Sequence, residues 1–173
     1  MLKAKTPIET LAVTTKVVLP NDTNTLGNLF GGQLLAWMDE IASVSAHRHC
    51  KRVCVTASIN NVAFQNPIKL ADIVTLEAKV SRAFTSSMEV YIDVFVEDFN
   101  TGQRRKCNEA IFTFVAVDQL GNPIHVPPIR PETEQDQMRY DSALRRRQLS
   151  LILAGKLTPD DATELKALFV KPE

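Results

Sequence analysis

From Ile73 to Phe84 apolar and polar positions alternate one for one, with Val74, Leu76, Ala78 and Val80 set between Thr75, Glu77, Lys79 and Ser81. The next segment repeats the plan: Met88, Val90, Ile92, Val94 and Val96 fall between Glu89, Tyr91, Asp93, Phe95 and Glu97. A period of two sends successive side chains to opposite faces of a strand, so each segment predicts a strand with one apolar face. Val53–Phe64 and Arg104–Val117 read as two further strands. Ile8–Leu19, rich in Thr, Val and Leu and stopped by Pro20, reads as the first. The connections Arg82–Ser87, Asn100–Gly102 and Asp118–Asn122 are short and polar, which predicts hairpins and an antiparallel sheet.

Between the first and second strands the period changes. Residues Pro20 to Gly32 are dense in turn formers and lead into a helical pattern from about Gly31 to His49. At 100° per residue Leu34, Leu35, Met38, Ile41, Ala42, Ser45 and Ala46 share one side, with Gln33, Ala36, Glu40 and His47 opposite. Beyond Pro127-Pro128 the chain turns charged and helical, over Glu132–Leu153. Thr158 as N-cap, Pro159 and Asp161 then start a last short helix. The order β-α-β-β-β-β is an α+β layer arrangement of one long helix on a five- to six-stranded antiparallel sheet. Residues 8–125 form the expected domain and 126–173 a charged helical extension. One helix covers only part of so long a sheet, which predicts self-association.

Composition narrows the classes. The chain has 173 residues, 45% hydrophobic and 23% charged, as ordinary globular domains do. Twenty Lys and Arg against twenty Asp and Glu leave no global pull toward nucleic acid or an anionic membrane. No apolar run nears the roughly 20 residues of a spanning helix, and the first residues lack the plan of a signal peptide, so a cytoplasmic protein is expected. Three cysteines, Cys50, Cys54 and Cys107, argue against a disulfide framework. His47 and His49 point about 200° apart on a helix and no second pair has zinc-like spacing, so no metal is expected. Cys50 and Cys54 are expected to pack as small apolar residues.

Candidate chemistry lies at the start of the helix. Asn28 precedes Gly31 and Gly32, whose N–H groups at a helix N-terminus face no side chain of their own and favour negative charge. Asp39 falls about 40° beyond Leu35 on the wheel, at the border of the apolar face, whereas Glu40 turns to solvent. A carboxylate so placed can act as a base. From spacing alone, the alternative stays open that the glycines serve packing and Asp39 pairs with Arg48 or Lys51.

The motifs Gly27-Asn28-Leu29-Phe30-Gly31-Gly32-Gln33, Leu35 through Ala42, Ala46 through Cys50, Val55 through Asn60 and Phe64 through Ile68 closely resemble the acyl-CoA thioesterases of the hotdog fold. The likeness is nearest to the cytosolic long-chain hydrolases of the brain type and their bacterial single-domain relatives. It runs on through Thr85–Glu89, Ala110–Val117 and Pro131–Glu134, about residues 8–150, with order and spacing kept. The resemblance implies a long central helix wrapped by the sheet, subunits that join sheets with two sites between them, and often three such dimers. It implies that Asn28 and Asp39 are the catalytic pair, supplied to each site by opposite subunits.

The chemistry is reasonable on its own terms. A thiol leaving group with a pKa near ~8.5 needs no strong acid to expel it, so a base, an oxyanion donor and a positioned water suffice. Asp39 would act as general base or nucleophile, Asn28 would orient water or carbonyl, and the Gly31 or Gly32 N–H would hold the oxyanion. Coenzyme A enters as part of the substrate and no cofactor is implied. Its phosphates need local cations, and Arg82 with Ser86 and Ser87 is the preferred site, with Arg104–Lys106 second and Arg145–Arg147 read as surface charge. A dehydratase of the same fold is disfavoured because residues 21–30 carry no histidine. A non-catalytic acyl-CoA-binding or sensing module is the alternative from another class.

Overall fold

The structure is a computed structural model that describes residues 2–60, 62, 64 and 66–169. It falls into two compact units that meet in sequence at Arg130 and Pro131. The first holds β1 (Ala12–Val17), α1 (Gly31–Cys50), β2 (Val53–Asn60), β3 (Ile73–Ala83), β4 (Ser87–Glu97) and β5 (Arg104–Val117). The five strands form one antiparallel sheet in the order β1-β3-β4-β5-β2. This is the α+β hotdog arrangement: a long helix lying against a curled sheet.

Strand alternation sets the core. Val74, Leu76, Ala78 and Val80 of β3, Met88 through Val96 at even numbers on β4, and Ala110, Phe112, Phe114 and Ala116 of β5 are all buried. The register places them side by side, with Leu76 beside Val94, Ile92 beside Ala110 and Met88 beside Phe114. The apolar side of α1 covers this layer: Leu34, Met38, Ile41, Ala42, Ser45 and Ala46 are buried as the wheel predicts, and Trp37 and His49 join them. A bulge follows Val80, and there the buried Ser81 hydroxyl donates to the buried carboxylate of Glu89 at 2.6 Å.

Three boundaries differ from the sequence reading. The expected first strand is broken, because Pro7–Thr10 form a 3₁₀ turn and only Ala12–Val17 pair with β3. The second strand stops at Asn60, and of its expected continuation Asn61 and Ala63 lie outside the described residues. The segment opened by Thr158 is a 3₁₀ turn, Pro159–Asp161, followed by a short helix at Thr163–Lys166.

In the second unit, the helix α2 (Glu134–Leu153) starts at a capping box in which Thr133 Oγ1 accepts from the Asp136 N–H at 3.0 Å. The short helix α3 (Thr163–Lys166) is tied back to it by the Leu165 N–H donating to Gln148 Oε1 at 2.8 Å.

Candidate active site

The loop before α1 is held by its own backbone. Asn24 Oδ1 accepts from the N–H of Leu26 and of Asn28, and the Asn24 N–H donates to Asn28 O at 2.8 Å. Gly27 has φ of +71°, which a side chain would resist, and its carbonyl accepts from Leu70 N. Leu29 N donates to Ile68 O at 2.7 Å, which ties the loop to residues 68–70.

α1 then begins without a side-chain cap: Phe30 stands at the N-cap, and its carbonyl accepts from Leu34 N at 3.0 Å. The N–H groups of Gly31, Gly32 and Gln33 have no acceptor among the described residues, as the first turn of a helix dictates. Of these residues Gly31 lines a cavity of about 370 Å³, whose wall also includes Asn28, Leu34, Phe64, Asn66 and Asn108. At Gly31 a Cβ would lie 3.2 Å from the Phe64 ring, which would have to give way by a few tenths of an ångström. Gly32 is exposed, meets nothing within 4 Å and does not line the cavity. Of the two glycines, Gly31 alone lines the cavity.

Asp39 lies elsewhere on the same helix. Eight residues from Gly31 correspond to about 12 Å along the axis, and Asp39 is not among the residues lining the cavity. It is half-buried, and its Oδ1 accepts from Thr56 Oγ1 on β2 at 2.7 Å. Neither Arg48 nor Lys51 pairs with it: Arg48 donates to Leu11 O, and Lys51 closes the far end of the helix. Glu40 is exposed and meets Lys16 at 3.3 Å. One protomer therefore brings Asn28 to Gly31 and Asp39 to Thr56, and leaves the two pairs apart. Thr56 was missed in the sequence; the signal was its place on a strand face that points toward the helix.

Arg82 stands opposite Glu89 in the β3–β4 register, with its guanidinium 5.7 Å from the Phe84 ring. Ser86 and Ser87 shape the adjoining turn through their carbonyls, which accept from Ala116 N and Phe84 N, and Ser87 is buried. In the second candidate cluster, Arg104 pairs with Glu77 at 3.2 Å. Lys106 bridges Asp93 at 2.8 Å and Glu109 at 2.7 Å, and holds the Glu109 carboxyl below the usual range. Arg105 differs: its Nη2 donates to the carbonyl of Pro67, a residue of the cavity wall.

Residues 26–102 match the thioesterase superfamily. Over 138 residues the chain is 46% identical to an uncharacterised acyl-CoA thioester hydrolase of Bacillus subtilis (strain 168), covering 80% of each chain. It is 38% identical over 136 residues to the acetyl-coenzyme A thioesterase of Mus musculus, of which it spans 24%. Among solved structures, an apo-hexameric acyl-CoA thioesterase superposes with a TM-score of 0.85 at 37% identity, covering 88% of this chain and 98% of that one. An acyl-CoA hydrolase of Staphylococcus aureus, in complex with butyryl coenzyme A, coenzyme A and coenzyme A disulfide, gives 0.81 at 37% identity, covering 88% and 95%. That hydrolase has also been solved as three alanine variants, at an asparagine, at an aspartate fifteen positions later and at a threonine seventeen beyond that.

Proposed function

The chain belongs to the acyl-CoA thioester hydrolases of the thioesterase superfamily, and from that premise we propose that it cleaves fatty acyl-CoA to fatty acid and coenzyme A at a site shared between two subunits. Asn28 and Gly31 of one subunit hold the thioester, and Asp39 and Thr56 of the other activate the attack. The observation that carries this reading is the separation within one protomer of an anion-stabilising cavity from the only carboxylate at the border of the apolar face of α1.

The cavity supplies what the carbonyl needs. The Gly31 N–H and the helix dipole stabilise charge developing on oxygen, and the Asn28 amide fixes carbonyl or water. Asp39 removes a proton from water or attacks the carbonyl carbon itself, and the Thr56 hydroxyl orients the carboxylate. The thiolate of coenzyme A leaves without an acid. No cofactor takes part.

The spacing of the Staphylococcus aureus variants supports the pair Asp39 and Thr56, which are also seventeen residues apart. Counting fifteen back from Asp39 reaches Asn24 rather than Asn28. Asn24 Oδ1 is engaged by two N–H groups, one of them from Asn28, so we assign Asn24 to positioning and Asn28 to contact. For the nucleotide, Arg82 with Ser86 and Ser87 remains the proposed phosphate contact, and Arg105 at the cavity wall is a second.

The free edge of β2 exposes Val53, Val55 and Ile59 at 66%, 48% and 46%, an apolar edge suited to pairing with a second copy. A homodimer with two such sites, assembled three times into a hexamer, is the proposed state. The proposal places the protein in the cytoplasm without a membrane partner; among the described residues no helix is long and apolar enough to cross one.

Hydrolysis of acyl-CoAs of graded chain length, read as free thiol released, tests the reading. Asp39→Asn should lower kcat by about 10²-fold or more with folding intact, and Glu40→Gln should do little. Equal losses would show that the carboxylate has been misassigned; no thiol release by the unaltered protein would favour a binding module.

A further inference from the structure

At its C-terminal end α1 meets the start of β2 through two thiols. Cys50 is the last residue of the helix and Cys54 the second of the strand, and their sulfurs are 3.0 Å apart. Both are half-buried, unlike Cys107, which is buried. Cys54 and Thr56 stand opposite Ala116 and Phe114, so both project toward the helix and tether the strand to it in succession.

Beside this pair is a cavity of about 880 Å³, larger than the one at Asn28. Cys50 forms part of its wall together with Lys51, Arg52, His47, His125 and Asp118. The Asp118 carboxylate is taken up by its own turn, accepting from Leu120 N and Asn122 N at 2.9 and 2.8 Å. The charge left to face an entering molecule comes from Lys51 and Arg52, both exposed.

We propose that Cys50 and Cys54 are a dithiol site that anionic low-molecular-weight disulfides enter through this cavity and oxidise to an intramolecular disulfide. In the first step the Cys50 thiolate attacks one sulfur of the entering disulfide. That S–S bond breaks, one thiolate leaves and takes up a proton from water, and Cys50 carries a mixed disulfide. In the second step Cys54 gives up its proton and attacks the Cys50 sulfur, and the second thiolate leaves and is protonated. Two thiols are oxidised by two electrons, and one disulfide is reduced to two thiols.

The geometry favours both steps. Cys50 is the sulfur on the cavity wall and Cys54 the one behind it. Closure needs an approach of about 1 Å, from 3.0 Å to the length of an S–S bond near 2 Å. The Cys54 S–H donating to the Cys50 sulfur, helped by the Arg52 backbone and nearby His47, holds Cys50 below the ordinary thiol range and for the same reason holds Cys54 above it. That assigns attack to Cys50 and resolution to Cys54.

The test is a time course of intact mass and peptide mapping on the reduced full-length protein. The probes are coenzyme A disulfide, glutathione disulfide and the neutral hydroxyethyl disulfide; only the choice of the first rests on the hydrolase reading. The expected product with each is a protein lighter by two hydrogens, with Cys50 linked to Cys54 and Cys107 unchanged. Both anionic probes should react about tenfold faster than the neutral one, and Lys51→Asn with Arg52→Gln should remove that advantage. Advantage for both supports recognition by charge, and advantage for coenzyme A disulfide alone would overturn it. Cys54→Ser should stop at a mixed disulfide on Cys50. If the variants fail to fold, the rates and products of the unaltered protein still decide. A stable mixed disulfide without closure, first attack at Cys54 or Cys107, or equal rates for charged and neutral probes would overturn the proposal.

Discussion

The two ends of α1 are built to opposite ends. At its N-terminus the helix has no side-chain cap, and Gly31 of its first turn lines a cavity beside Asn28. At its C-terminus three of the last four carbonyls, those of His47, Arg48 and His49, are met. Lys51 adopts the left-handed conformation at φ 55° and donates to His47 O, Lys5 Nζ donates at 2.7 Å to both Arg48 O and His49 O, and His49 Nε2 bonds Pro127 O at 2.7 Å. In the proposed function the unsatisfied polar groups at one end bind a substrate oxygen, whereas the satisfied ones at the other stabilise the helix. Substitutions at the two ends should separate activity from stability.

The largest effect is expected at the open end. Asn28→Ala should lower kcat by about 10²-fold while Tm moves little, because the side-chain amide makes no hydrogen bond to any described residue. Asn24→Ala should cost activity and some stability together, since the Asn24 side chain accepts two loop N–H groups. Circular-dichroism melts beside steady-state kinetics check both.

Next come the glycines. Gly31→Ala pushes a methyl against the Phe64 ring and narrows the cavity, so KM for acyl-CoA should rise about tenfold. Gly32→Ala meets open space and should leave KM unchanged while adding about 0.5–1 kcal/mol of stability from helix propensity. Equal effects would contradict the placement of Gly31 in the site.

At the closed end the readout reverses. Lys5→Met removes two charge-assisted hydrogen bonds from the last turn and should cost about 2 kcal/mol in urea unfolding, with kcat unchanged.

The smallest effect is a pH dependence. Burial holds His49 below its ordinary 6.5, against the pull of its bond to Pro127. The unfolded chain therefore binds the proton first as pH falls. The stability contributed by neutral His49 is complete above 6.5 and declines toward the lower folded value, by at most about 1.4 kcal/mol per pH unit. His49→Gln should be less stable at pH 8 and show a flatter decline between pH 6.5 and 5 in thermal melts.

The sheet was legible because its strands are buried on one face only, so alternation along β3 and β4 maps directly onto Leu76, Ile92 and their neighbours in the core. The helix was legible in its period but not in its width. Trp37 lies about 100° from the stripe's centre line and is buried all the same, while the polar His49, about 20° from that line, is buried with a bond to Pro127 O that no local pattern reveals. The break of the first strand at Pro7–Thr10 depends on Thr10 Oγ1 accepting from Val80 N, seventy residues away. Asn28 and Gly31 were readable as residue types at a helix start, and Asp39 as a carboxylate at the border of the helix's apolar face. Thr56, the engagement of Lys106, and the approach of Arg105 to Pro67 arise from long-range packing, and only coordinates show them.

The central claim is that Asn28 and Asp39 serve one site from opposite subunits. Asn28→Ala and Asp39→Ala should each be nearly inactive alone. Unfolded and refolded together in equal amounts, they pair at random, so about half of the dimers are mixed, each with one doubly altered site and one intact site. Activity should return to about a quarter of the unaltered protein's. No recovery, with mixed dimers confirmed by native mass spectrometry, would contradict the shared site.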